Sequence, residues 1–282
     1  MTHPGDKIIV QTPVYYPFFD LILNNGRQLE TNPLRLANGA YSMDFEDLEK
    51  KAEHPRTTAI ILCSPHNPVG RVWTLEELTR LGQICLENDV LVISDELHCD
   101  LVFPGFKHIP FAGISDDFAQ CSITCIAPSK TFNLAGLQTS TLIIPNKRLR
   151  NQFLKGSIFK RPNPFGIVAL EAAYTHGEEW LEQLMDYLSG NIQLLCYFVR
   201  NRLPGVEIIK PEGTYLVWMD FRKLAIDSRA LEDLMLNRAG VWLDEGYVFG
   251  KEGEGFERIN VACPRSLLEQ ALHRIEEAIT SL

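Results

Sequence analysis

Along this chain, apolar runs of strand length alternate with segments whose apolar positions recur every three to four residues. KIIVQTP (7–13) reads as a strand, and VYYPFFDLILNNG follows as a helix closed by Asn-Gly. TAIILCSPHNP (58–68) is a strand that runs into a polar, proline-rich loop. TLEELTRLGQICLEND (74–89) opens with Thr74 and Glu77 at capping-box spacing and continues as an amphipathic helix. VLVISDELHCD (90–100), CSITCIAPSK (121–130) and TSTLIIPNK (139–147) are further strands. Continuous apolar strands separated by helices predict an α/β fold: a mostly parallel sheet with helices on both faces.

The second half has a different rhythm. A long helical pattern covers about 171 to 202, and VEIIKPEGTYLVWMDF reads as two strands around a Pro-Glu-Gly turn. SRALEDLMLNRAG is a helix with a glycine stop, VWLDEG and FERINVACP are short strands, and SLLEQALHRIEEAITSL closes the chain as an amphipathic helix. The closer mixing predicts a smaller C-terminal α+β domain. The division is placed at 1–175 and 176–282, with the long helix in the second part.

Composition narrows the function. The 282 residues carry a formal net charge of -9, so no basic surface advertises nucleic acid or an anionic membrane. No apolar run reaches membrane-spanning length, and MTHPGDKIIV lacks the pattern of a signal peptide. The seven cysteines are scattered, without zinc-like spacing, so no metal site is expected. They read as reduced thiols of a cytoplasmic protein.

In a parallel sheet, ligands bind beyond the carboxyl ends of the strands. The unusual residues fall there, in SPHNPVG, SDELH and APSK. Lys130 leaves a buried strand. It is either a lysine snorkelling to the surface or a desolvated amine able to form a Schiff base. Asp95 is either a turn residue or a buried carboxylate that holds a cationic ring nitrogen. Asn67 is a turn former or an amide donor to a ring oxygen. Arg265 stands at the head of the last helix, where a cation opposes the helix dipole. It is a solvated arginine or a clamp for a carboxylate.

NPxG, SDE, SK and a late PR, in that order, resemble the fold-type I pyridoxal phosphate enzymes, the aspartate aminotransferase superfamily. QTPVYYPFF, SPHNPVGRVW, SDELHCDL, APSKTFNLAGL and CPRSLLEQAL are similar to its cystathionine β-lyase and β C–S lyase branch. The resemblance spans essentially the whole chain. It implies pyridoxal 5′-phosphate as cofactor, with Lys130 as Schiff-base lysine and proton shuttle. It implies Asp95 on the pyridinium nitrogen, Asn67 at the ring oxygen, Ser129 near the phosphate and Arg265 on the substrate α-carboxylate. It also places Tyr15 in a loop of the site, where the alternative reading is core aromatic packing.

Departures from the wider superfamily matter too. His98 replaces a tyrosine usual in aminotransferases; it either faces the ring oxygen or is a satisfied structural histidine. Gln138 stands where an arginine often grips phosphate, and Ala127 where many members have serine. The resemblance further implies a homodimer and a family length near 390 residues, so that about the first hundred residues of the family pattern are expected to be lacking. That stretch would bring a phosphate-binding glycine turn, a ring-stacking aromatic residue and an N-terminal segment. The expected activity is C–S β-lysis of cystathionine or cysteine-type amino acids. The alternatives are an aminotransferase on the same fold, or a truncated product that binds no cofactor.

Overall fold

The computed structural model describes residues 1–156 and 162–282. The chain enters through β1 (Lys7–Val10), α1 (Pro17–Asn24) and β2 (Gln28–Thr31). A small hairpin of β3 (Arg35–Ala37) and β4 (Ala40–Ser42) leads through α2 (Phe45–Ala52) into β5 (Thr57–Cys63). Next come α3 (Leu75–Glu87), β6 (Leu91–Asp95), α4 (Asp116–Gln120) and β7 (Ser122–Ile126). The short α5 (Pro128–Thr131) and β8 (Thr141–Ile143) close this part. The six main strands lie in the order β2-β1-β5-β6-β7-β8; all neighbours are parallel except β8, which runs antiparallel to β7.

Local chemistry explains these elements. Every residue of β5 except Thr58 is buried, as a central strand with both faces covered must be. Thr74 and Glu77 close a complete capping box, worth about 1 kcal/mol, and start α3. That helix buries Leu78, Leu81, Ile84 and Cys85 against the sheet, each large side chain contributing roughly 1.5–3 kcal/mol. Gly82 lets it approach α4: a Cβ there would lie 2.4 Å from the Phe118 ring.

The second half contains α6 (Lys147–Gly156), α7 (Pro164–His176) and α8 (Glu178–Arg202), then β9 (Glu207–Ile209) and β10 (Leu216–Asp220). It ends with α9 (Ser228–Asp233), β11 (Asp244–Glu245), β12 (Phe256–Asn260) and α10 (Arg265–Thr280). Its antiparallel sheet has the order β11-β12-β10-β9. One face of that sheet sends Trp218 and Phe256, stacked at 5.1 Å, into the core of the larger sheet. The other sends Val217, Met219 and Ile259 into a second core with α8 and α10.

Two expectations shift. The strand read over 139–147 shrinks to Thr141–Ile143, because the Asn146 side chain accepts from the Arg148 and Leu149 amides and starts α6. The long helical pattern begins earlier, at Pro164, where Asn163 caps the Gly166 amide, and it breaks at Gly177 between α7 and α8.

The two sheets are tied beside the Asn67 loop. Arg71 donates to Glu212 at 2.9 Å and to Glu77 at 2.9 Å. The amides of Glu212 and Gly213 donate to the Gly70 carbonyl at 2.8 and 3.1 Å. Gly70 has φ +73°, and a Cβ there would lie 2.8 Å from Pro211, so this contact requires glycine.

Candidate active site

Strand register builds the site. Cys63, Asp95 and Cys125 lie side by side at the carboxyl edge of β5, β6 and β7. Three loops therefore leave from one level, carrying Asn67, His98 and Lys130 within three to five residues of that row. Sequential strands that are also neighbours make this convergence possible.

Asp95 accepts from the Leu97 amide at 3.2 Å through Oδ1, and Oδ2 has no partner among the described residues. Burial pushes its carboxyl up to about 6, against the pull of the Leu97 amide and the Lys130 charge. A buried carboxylate left half-bonded gains most from a cationic N–H donor. Lys130 projects from α5, and its ammonium makes no hydrogen bond or ion pair among the described residues. Its neighbour Thr131 is fully buried and donates to Asp100 Oδ2 at 2.7 Å, which pins the turn to the segment after β6.

Asn67 is 5% exposed, and its Oδ1 accepts from Arg258 Nη1 at 2.8 Å. Guanidinium only donates, so this bond fixes the amide orientation and leaves Nδ2 free to donate. His98 is buried with Nδ1 unpartnered, and its ring meets Tyr215 edge-on at 5.6 Å. Burial, reinforced by the charges of Lys130 and Arg258, pushes its imidazole down to about 3, so it is neutral. Tyr15 follows β1 and packs against Phe18. Burial raises its phenol, with Tyr16 adding to the effect and the Arg258 charge opposing it. Ser129 is half-buried beside Lys130, while Ala127 is buried and Gln138 is left-handed at φ 50°.

Sequence reasoning missed Arg258. It lies on β12, 9% exposed, and donates through Nε and Nη2 to Asp244 Oδ2 at 3.1 and 2.6 Å. Its guanidinium sits 4.7 Å from the Phe249 ring. Arg265, expected to clamp the α-carboxylate, does not join this cluster. It is exposed, donates to Asn191 Oδ1 at 3.1 Å and lies 5.3 Å from the Tyr187 ring. A signal for Arg258 was present in FERINV: charges at two successive positions of an apolar strand put one on each face, so one must point into a core.

Lys130 forms one wall of a cavity of about 320 Å³. Trp180, Leu184, Tyr187 and Tyr215 face it, and among the described residues Lys130 is the one charged residue of its lining. Of the groups gathered at the strand ends only Lys130 lines this cavity, but as a set they fit pyridoxal phosphate: among the described residues they offer a free carboxylate oxygen on Asp95, a free amide donor on Asn67, an orphaned neutral imidazole nitrogen on His98 and an unpaired amine on Lys130.

The family model for class I and II aminotransferases matches residues 1–275. A cystathionine β-lyase, PatB of Bacillus subtilis (strain 168), is 46% identical over 99% of this chain and 73% of its own length. The MalY protein of Escherichia coli (strain K12) is 34% identical over 99% of this chain and 72% of its own. Cystalysin from Treponema denticola, solved with pyridoxal 5′-phosphate, superposes with a TM-score of 0.97 at 40% identity, covering 99% of this chain and 72% of that one. A C–S lyase from Staphylococcus hominis, also with the cofactor bound, gives 0.93 at 39% identity over 98% of this chain and 71% of its own.

Proposed function

The chain belongs to the class I and II aminotransferase family of fold-type I pyridoxal phosphate enzymes, and from that premise we propose that it is a C–S β-lyase. Its substrate is a thioether amino acid of the cystathionine type, which would give its α-proton to Lys130 and its β-carbon–sulfur bonding pair to the departing thiol, leaving an unsaturated amine that water converts to pyruvate and ammonia. The observation that carries the reading is the convergence of Lys130, Asp95 and Asn67 on three adjacent strand ends, with Arg258 bonded to Asn67.

Each side chain has a task that its surroundings suit. Asp95 Oδ2 would hold the protonated ring nitrogen, and Asn67 Nδ2 would donate to the ring oxygen. Tyr15 and the neutral His98 would flank the ring, and the Ser129 hydroxyl would reach the phosphate. When bound, pyridoxal phosphate supplies the electron-withdrawing ring that stabilises negative charge at the substrate α-carbon. Lys130 Nζ would take the α-proton and serve as the proton shuttle. Guanidinium has five N–H donors, and Asp244 and Asn67 use three of those of Arg258. The remaining two lie on the terminal nitrogens and suit the substrate α-carboxylate. Arg258 therefore takes the role that sequence gave to Arg265.

The lyase reading over aminotransfer is supported by His98 and by the names of the relatives. Pyruvate released from L-cystathionine by protein incubated with pyridoxal phosphate tests it. Amino exchange with 2-oxoglutarate and no pyruvate would mark an aminotransferase.

Residues 1–175 are proposed as the cofactor domain and 176–282 as the smaller domain, since α8 buries Leu188, Ile192, Leu195 and Val199 with β10 and β12. A homodimer is proposed because α7 is apolar yet buries only Gly166, while Phe165 is 80% and Val168 65% exposed. Trp180 and Tyr187 continue this surface to the Lys130 cavity, so a second copy seated there would close the cleft. Sedimentation velocity reads the mass. Among the described residues no helix is long and apolar enough to cross a membrane, and all seven cysteines are free, which suits the cytoplasm.

A further inference from the structure

Arg265 is left over once Arg258 holds the α-carboxylate, and its surroundings fix it with some care. Asn191, fully buried on α8, accepts from Arg265 Nε at 3.1 Å, while the Asn191 amide group donates to the carbonyls of Val261 and Cys263 at 2.9 and 3.0 Å. The Tyr187 hydroxyl accepts from the Arg265 amide at 2.8 Å, and the guanidinium lies 5.3 Å from the Tyr187 ring. Gly190 gives it room: a Cβ there would come within 2.5 Å of Nη2. Both terminal nitrogens are without a hydrogen-bond or ion-pair partner among the described residues. An arginine oriented through Nε, with its terminal fork open, is prepared for a planar anion.

Its place matters as much as its geometry. Tyr187, Cys263 and Pro264, which touch or precede Arg265, line the Lys130 cavity, and among the described residues that lining has no charge besides Lys130. A substrate that carries a second carboxylate beyond its sulfur would leave that charge without a partner inside the cavity, at considerable cost. At the rim it would meet Arg265.

We infer that Arg265 is a specificity-determining residue which binds the distal carboxylate of a thioether substrate bearing two amino-acid ends. The inference rests on the lyase reading above. It predicts discrimination between L-cystathionine, which has a distal carboxylate, and S-methyl-L-cysteine, which has none.

The test measures kcat/KM for pyruvate release from both compounds, with the holoenzyme and with Arg265→Gln and Arg265→Lys. A fork-to-carboxylate pair at a solvated rim corresponds to about a tenfold effect. In Arg265→Gln the cystathionine to S-methylcysteine ratio of kcat/KM falls about tenfold, through KM. In Arg265→Lys, which keeps the charge, part of the ratio returns. An unchanged ratio in Arg265→Gln, or an equal fall in both variants, overturns the inference. A holoenzyme that cleaves S-methyl-L-cysteine but not cystathionine also overturns it and leaves the lyase reading standing. If neither compound yields pyruvate, both fall.

Discussion

Glu257 offers a test of the electrostatic picture that needs neither cofactor nor substrate. It lies on β12, 2% exposed, and its side chain has no hydrogen-bond partner among the described residues. Across the sheet it faces Glu245 directly. Burial first, then the charges of Glu245, Glu232 and Asp244, push its carboxyl up to about 9 from 4.5. The sign follows from linkage. A carboxyl whose folded value is raised binds a proton in the native state that the unfolded chain gives up, so stability falls as pH rises from about 4.5 toward 9. One such proton changes stability by about 1.4 kcal/mol per pH unit, so the loss between pH 5 and pH 8 amounts to roughly 4 kcal/mol. Glu257→Gln removes it. The difference in unfolding free energy between variant and parent, from urea titrations at pH 5, 6, 7 and 8, should swing toward the variant by about that amount. The unpaired amide costs about 1–2 kcal/mol at every pH, so the variant starts lower at pH 5 and overtakes the parent near neutrality. Parallel pH profiles would refute the reasoning.

Two further outcomes concern the site. Arg258→Lys loses one fork to the substrate and its bonds to Asn67 and Asp244; KM for the amino acid should rise about 10–100-fold, from 1.5–3 kcal/mol per charge-assisted bond, and steady-state kinetics read it. Asp95 is charged only above about pH 6, so affinity for pyridoxal phosphate should fall about tenfold per pH unit below that point. Absorbance titrations at pH 5 and 7.5 should show the loss in the parent, and Asp95→Asn should bind weakly at both.

Much of this was legible in the sequence, and the reason is local. SPHNPVG, SDELH and APSK each terminate an apolar strand, and a parallel sheet of sequential neighbours brings such ends together without further information. The capping box at Thr74 and the Asn-Gly stop after α1 act within one turn, so they read directly. Arg258 did not read, because its partner Asn67 is 191 residues away and Asp244 is reached through a strand pairing that periodicity does not reveal. Arg265 carried the more conspicuous signal, a cation at a helix start, and drew the assignment that we propose for Arg258 on β12. The short β8 and the early start of α7 depend on the side chains of Asn146 and Asn163, each a single polar residue beside a proline.

The central claim is that Lys130 is the amine that holds pyridoxal phosphate. Protein incubated with the cofactor, reduced with borohydride and digested should yield one phosphopyridoxyl-lysine, on the peptide that contains Lys130, and Lys130→Ala should yield none. A label on another lysine, or no label at saturating cofactor, would contradict it.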